Sequence, residues 1–121
     1  MTLRVFKPLL FMAVLVTALV GGRISNAQQT PQRITIVAKR FDFTPGDVTL
    51  KKGLPVVLVL TSKDVDHGVK FKDLNLNIKA PKGKTTEVTF TPTKTGTFVG
   101  QCSVFCGAGH GRMKMTLHVT D

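Results

Sequence analysis

From Ile34 onward, the apolar residues of this chain never recur at helical spacing; they alternate with a period of two. The clearest run closes the sequence, where Met113, Met115, Leu117 and Val119 alternate with Lys114, Thr116, His118 and Thr120. Ile34–Ala38 is β-branched and apolar and predicts a strand. Phe41 and Phe43 flank Asp42, Pro45-Gly46-Asp47 reads as a turn, and Val48–Leu50 resumes as strand. Val56–Leu60 is unbroken apolar sequence of strand length, as expected for burial on both faces. Ser62–Asp66 reads as a loop. Beyond it Val69 and Phe71, then Leu74, Leu76 and Ile78, again alternate with polar residues. Pro81-Lys82-Gly83 turns, Thr85–Phe90 is strand-like, Pro92–Gly96 is a loop, and Thr97–Gln101 predicts a strand running straight into Cys102. Short strands punctuated this way predict an all-β domain, two packed sheets on a Greek-key path closing as a sandwich or barrel.

The chain has 121 residues, enough for one such domain and little more. Residues 1–27 read as a leader. Arg4 and Lys7 form a basic start, Leu9 to Val20 is an apolar run broken only by Thr17, and Ser25-Asn26-Ala27 is a small-residue cleavage site. The rival is a retained anchor that associates with the membrane, although the run is short against the roughly 20 residues a span needs. Both readings place the rest outside the cytoplasm, in the periplasm or at the outer face of the membrane. Residues 28–33 are expected to be a polar linker and 34–121 the domain. Removing Arg4, Lys7 and Arg23 from 17 basic residues leaves 14 against seven acids, a net charge of +7 on the exported part. Such a charge steers encounter with acidic partners or anionic surfaces. Nucleic acid is not expected, because Tyr and Trp are absent and no dense basic run occurs.

The residues that carry chemistry lie between Cys102 and Met113, in CSVFCGAGHGRM. Both cysteines of the chain, Cys102 and Cys106, stand four apart, His110 follows four later, and Met113 three after that. Thiol, thiol, imidazole and thioether donors in one loop suit a soft metal. His67, at the junction of a loop and a strand, adds an imidazole from mid-chain. Copper(I) prefers sulfur and copper(II) accepts imidazole, so a mixed set serves both oxidation states. A bound metal would also protect two exported thiols from oxidation.

The pattern Cys-x-x-x-Cys-x-x-x-His-x-x-Met, with DVDHGVKF upstream, resembles the dinuclear CuA domain of cytochrome c oxidase subunit II and of nitrous oxide reductase. The resemblance covers roughly Ile34 to Val119 and is specific in the ligand loop. It implies a cupredoxin fold and two copper ions bridged by the thiolates of Cys102 and Cys106. His67 would bind one copper and His110 the other, with Met113 and the backbone carbonyl of Val104 as weak ligands. It further implies a non-enzymatic electron-transfer module, monomeric, exchanging single electrons with redox proteins such as cytochrome c or an oxidase or reductase subunit. The family usually has Glu where Val104 stands and an aromatic electron-entry residue that a chain without Trp or Tyr lacks. Subunit II also carries membrane helices before its copper domain, so a stand-alone relative is the expectation.

Other readings remain beside this one. A Cys102–Cys106 disulfide would close a tiny loop and contribute about 2 kcal/mol. A periplasmic copper carrier or chaperone could bind copper(I) through the same Cys/His/Met loop. A mononuclear blue-copper site needs only one cysteine, and the second argues against it. Met115 is expected in the core and His118 on the surface. Gly107, Gly109 and Gly111 are expected to let the ligand loop wrap tightly, within an apolar shell of Phe41, Phe43, Phe71, Phe98 and Phe105.

Overall fold

The period-two segments form nine strands in the structure, a computed structural model that describes residues 21–22 and 30–121. Apart from Gly21 and Gly22, the expected leader lies outside the described residues. The strands are β1 (Gln32–Lys39), β2 (Asp42–Thr44), β3 (Asp47–Lys51), β4 (Val56–Ser62), β5 (His67–Phe71), β6 (Leu76–Ala80), β7 (Thr85–Phe90), β8 (Gly96–Cys102) and β9 (Lys114–Thr120). One sheet has the order β2-β1-β4-β7 and the other β3-β9-β8-β5-β6. Each contains one parallel pair, β1 with β4 and β3 with β9, among antiparallel neighbours. The chain passes from the first sheet to the second at Pro45-Gly46, where the Gly46 carbonyl accepts from the Thr116 amide at 2.8 Å.

Alternation sorts side chains between the faces. Ile36 and Ala38 of β1 and Val56, Leu58 and Leu60 of β4 meet Val69, Phe71, Ile78, Met115, Leu117 and Val119 in one core. As its unbroken apolar run predicts, β4 is also buried behind the core, where Val59 is 6% exposed. It lies between β1 and β7, so both its edges are paired.

Three local expectations need correction. β1 starts at Gln32, because Gln32 and Arg33 continue the parallel ladder opposite Val56 and Val57. Leu74 is not on a strand: Lys72–Leu74 is one 3₁₀ turn, ended by Asn75 with φ of 50°. That left-handed residue breaks the alternation that joins Leu74 to Leu76 in sequence. Met113 precedes the closing strand and follows a second 3₁₀ turn, His110–Arg112.

The end of the sandwich that presents the cysteines is tied across both sheets. Ser62 is fully buried; its hydroxyl donates to the Ala80 carbonyl at 2.6 Å and its own carbonyl accepts from Gly83 N–H at 2.8 Å. Asp66 accepts the Lys82 amide at 2.7 Å. Leu58 is the test of the core, since it is completely buried at the middle of a central strand. Leu58→Ala should destabilise the protein by about 2–5 kcal/mol, read as a lowered denaturation midpoint with an unchanged slope.

Candidate metal centre

β8 delivers Cys102 at its last residue, and the register sets what lies beside it. Val69 of β5 pairs with Cys102, and the Gly68 carbonyl accepts from the Ser103 amide at 3.1 Å. That pairing brings His67, the first residue of β5, to the cysteine: its Nδ1 lies 3.9 Å from Cys102 Sγ. Gly68 permits the approach. A methyl group there would overlap the Ser103 hydroxyl and press on the Val104 side chain.

The loop after Cys102 closes on itself. Cys102 N–H donates to the Met113 carbonyl at 3.0 Å, His110 N–H to Gly107 at 3.1 Å and Arg112 N–H to Gly109 at 3.0 Å. Of the three loop glycines, two meet a structural demand. Gly107 has φ of 133°, which an L side chain rarely adopts, and a Cβ on Gly109 would enter the Phe41 ring. Gly111 has open space around it.

The two sulfur atoms lie 3.6 Å apart as free thiols, both buried. Cys102 Sγ contacts the Val104 carbonyl at 3.2 Å. Cys106 Sγ lies 3.7 Å from His110 Nδ1 and 3.7 Å from Met113 Sδ. Met113 and His67 are fully buried, whereas His110 is half-buried with its ring beside Phe105. The donor atoms of His67, Cys102 and Cys106 all lie within 4.8 Å of one another. His110 and Met113 join this group through Cys106, and the Val104 carbonyl through Cys102. All six positions singled out in the sequence therefore converge. His118 does not; it pairs with Asp47 at 2.8 Å on the surface, and Met115 is core.

Two further residues shape the site. Asp64 Oδ1 lies 2.7 Å from His67 Nε2, and its other oxygen accepts the Arg40 amide at 2.8 Å. Burial alone raises the Asp64 carboxyl, but the Arg40 and Val65 amides and the His67 ring hold it down at about 2. An ionised Asp64 takes the Nε2–H and leaves the Nδ1 lone pair facing the sulfur atoms, the arrangement in which imidazole binds metal. The Arg40 Nε–H donates to the Cys106 carbonyl at 2.8 Å. Arg40 thus ties the histidine side of the site to the cysteine loop. The element DVDHG hinted at Asp64; nothing in the sequence pattern marks Arg40.

The phenylalanine shell is smaller than expected. Phe41 packs on the loop glycines, whereas Phe43 and Phe71 belong to the core and Phe98 packs on it. Phe105 is 78% exposed and forms part of the rim. Burial, followed by the contact with Cys102, pushes the Cys106 thiol up to about 11, so a thiophilic metal must displace a proton to bind there.

Two buried thiols, two imidazole Nδ1 atoms and a buried thioether fit copper, whose two oxidation states call on sulfur and nitrogen together. Such a set at the end of an all-β sandwich defines a cupredoxin of the CuA type. Residues 27–120 match the family model for cytochrome c oxidase subunit II, periplasmic domain. The chain is 29% identical over 96 residues to cytochrome c oxidase subunit 2 of Thermus thermophilus, covering 78% of this chain and 71% of that one. A cryo-EM structure of a heme-copper terminal oxidase dimer is similar at TM-score 0.67 and 27% identity, over 78% of this chain and 68% of that one. The periplasmic domain of oxidase subunit II (CoxB) of Bradyrhizobium japonicum shares the fold at TM-score 0.67 and 22% identity, over 74% of this chain and 84% of that one. The chain belongs to the cytochrome c oxidase subunit II family. It is accordingly a copper-binding electron-transfer domain of the periplasm.

Asp64→Ala should leave the fold intact and lower copper affinity about 10–100-fold, as losses of such orienting groups do. Copper affinity should also rise with pH across the neutral range, because the protonated Cys106 thiol competes with the metal. Competition titrations against a copper chelator at several pH values check both.

Proposed function

We propose that this domain holds two coppers between Cys102 and Cys106 and relays single electrons between exported redox proteins. One observation carries the reading: two buried thiols lie 3.6 Å apart, with a different imidazole against each. His67 and the Val104 carbonyl serve the Cys102 side; His110 and Met113 serve the Cys106 side. Copper in such a centre supplies one-electron exchange. Backbone bonds brace the donor loop and Phe41 covers its glycines, so little would reorganise on electron transfer. The chain would act as a monomer, with a redox protein such as a cytochrome c or an oxidase or reductase subunit as partner and no chemistry of its own. Residues 32–121, two residues more than the expected 34–121, would form the working domain, delivered by a leader over 1–27.

A second reading, a copper carrier, draws on the mutual closeness of His67, Cys102 and Cys106, a set that suits one copper(I). Metal analysis and electron paramagnetic resonance separate the two. The relay predicts two coppers per chain and a signal from one electron shared equally between them, abolished by Cys106→Ser. One copper(I) per chain, given up readily and with no such signal, would favour the carrier.

A further inference from the structure

The outer face of the sheet formed by β6, β5 and β8 is basic and lies against the site. Lys70, Lys72 and Lys79 line a recess of about 470 Å³ together with Val99, Gln101 and Ser103. Register explains the clustering. Lys70 stands opposite Gln101 on one side and Asn77 on the other, while Lys79 is paired with Gly68. Lys114 extends the row, opposite Gln101. Gly68 has no side chain, so Ser103 and Val104 lie over the sheet at that point, and the Ser103 hydroxyl donates to Asn77 Oδ1 at 2.8 Å. The recess is therefore floored by the residue that separates Cys102 from Val104.

Among the described residues these lysines have no acidic partner within ion-pair distance. Every ion pair among the described residues uses Arg33, His67 or His118; none uses a lysine. Glu87, Asp64 and Asp47 are committed to those three pairs, and Asp66 is taken by a backbone amide. Asp73, in the turn after β5, is the acid nearest in sequence to the cluster. Val99, 56% exposed, provides an apolar centre within the charged ring. A charged rim about an apolar contact is the composition of a transient protein interface. The recess at the opposite rim, beside Phe105, is less suited to an acidic partner: it is lined by one lysine, Lys82, against three here, Asp66 lies in it, and the Arg40 side chain is already bonded to the loop.

We propose that this face docks the acidic surface of a redox protein, placing that partner over Ser103 and the Cys102 side of the centre. The inference rests on the electron-relay reading above and names the chemistry of its partner. Attraction between unlike surfaces speeds encounter and weakens with salt, since screening sets in over about 10 Å at 0.1 M.

The isotope-labelled full chain, copper-loaded and separately metal-free, is titrated with a strongly acidic soluble cytochrome, with a strongly basic one, and with phosphatidylglycerol vesicles. Amide NMR shifts are expected at Lys70, Lys79, Val99 and Gln101 with the acidic cytochrome alone. They should fade as salt rises, and the double change Lys70→Glu with Lys79→Glu should weaken binding about tenfold or more. Lys70→Gln with Lys79→Gln should fall between, which separates charge from folding. Shifts centred on Phe105, equal binding of the basic cytochrome, or stronger binding of the vesicles to these lysines would overturn the proposal. The metal-free titration reads docking without copper, so a failure of the copper assignment would register separately.

Discussion

The site depends on a very short ladder. β5 and β8 share only two residue pairs, Val69 with Cys102 and Lys70 with Gln101, continued by the bond from Ser103 to Gly68. Yet this contact fixes where His67 stands relative to Cys102. Because strand register is quantised in residues, a slip of one would turn His67 to the opposite face of the sheet. Two features resist that slip. Val69 and Phe71 face the core, so a shift would expose both. Gly68 accepts the ligand loop on its open side, and no other residue type fits there without displacing Ser103.

A second layer of restraint acts through hydrogen bonds to charge. Asp64 receives the Arg40 amide on one oxygen and faces the His67 ring with the other, while the Arg40 side chain reaches the Cys106 carbonyl. One residue in the turn after β1 thereby spans the two segments that must stay in register for the donors to converge. Hydrogen bonds to ionised groups are stronger than neutral ones. A carboxylate that is only partly buried can hold a fully buried imidazole in one orientation for that reason.

Much of this was legible in the sequence, and the exceptions share a cause. Period two located the strands because each sheet buries one face, as Met115, Leu117 and Val119 show. The donor loop was legible because His110 and Met113 are local to the cysteines. Leu74 was misread because a left-handed Asn75 interrupts an alternation that continues on paper. Phe105 was placed in the shell by composition, yet it points outward from a loop, where period says nothing about direction. Arg40 was invisible because its bonds to residues 24 and 66 positions away exist only once the sheets have packed. Gly111 was grouped with Gly107 and Gly109 by spacing, but only those two face the Phe41 ring.

The donors also divide by how they are brought together, and this bears on how metal binding couples to folding. Cys102, Cys106, His110 and Met113 occupy one loop braced by its own backbone bonds between β8 and β9, with Arg40 and Phe41 holding it from the other sheet. His67 comes from 35 residues earlier and meets Cys102 only when β5 is docked on β8. A metal bound by the loop alone would sense the docking of β5 only through the loop's own contacts; one that also binds His67 senses it directly, and stabilises the native state by its preference for it. The buried, carboxylate-held histidine is thus the donor that ties the centre directly to the docking of β5, while the loop supplies all of its sulfur. A half-buried His110 at the rim and a fully buried His67 inside give the two sides of the centre unequal access to solvent. That inequality follows from the fold, since one imidazole begins a strand and the other opens a surface turn.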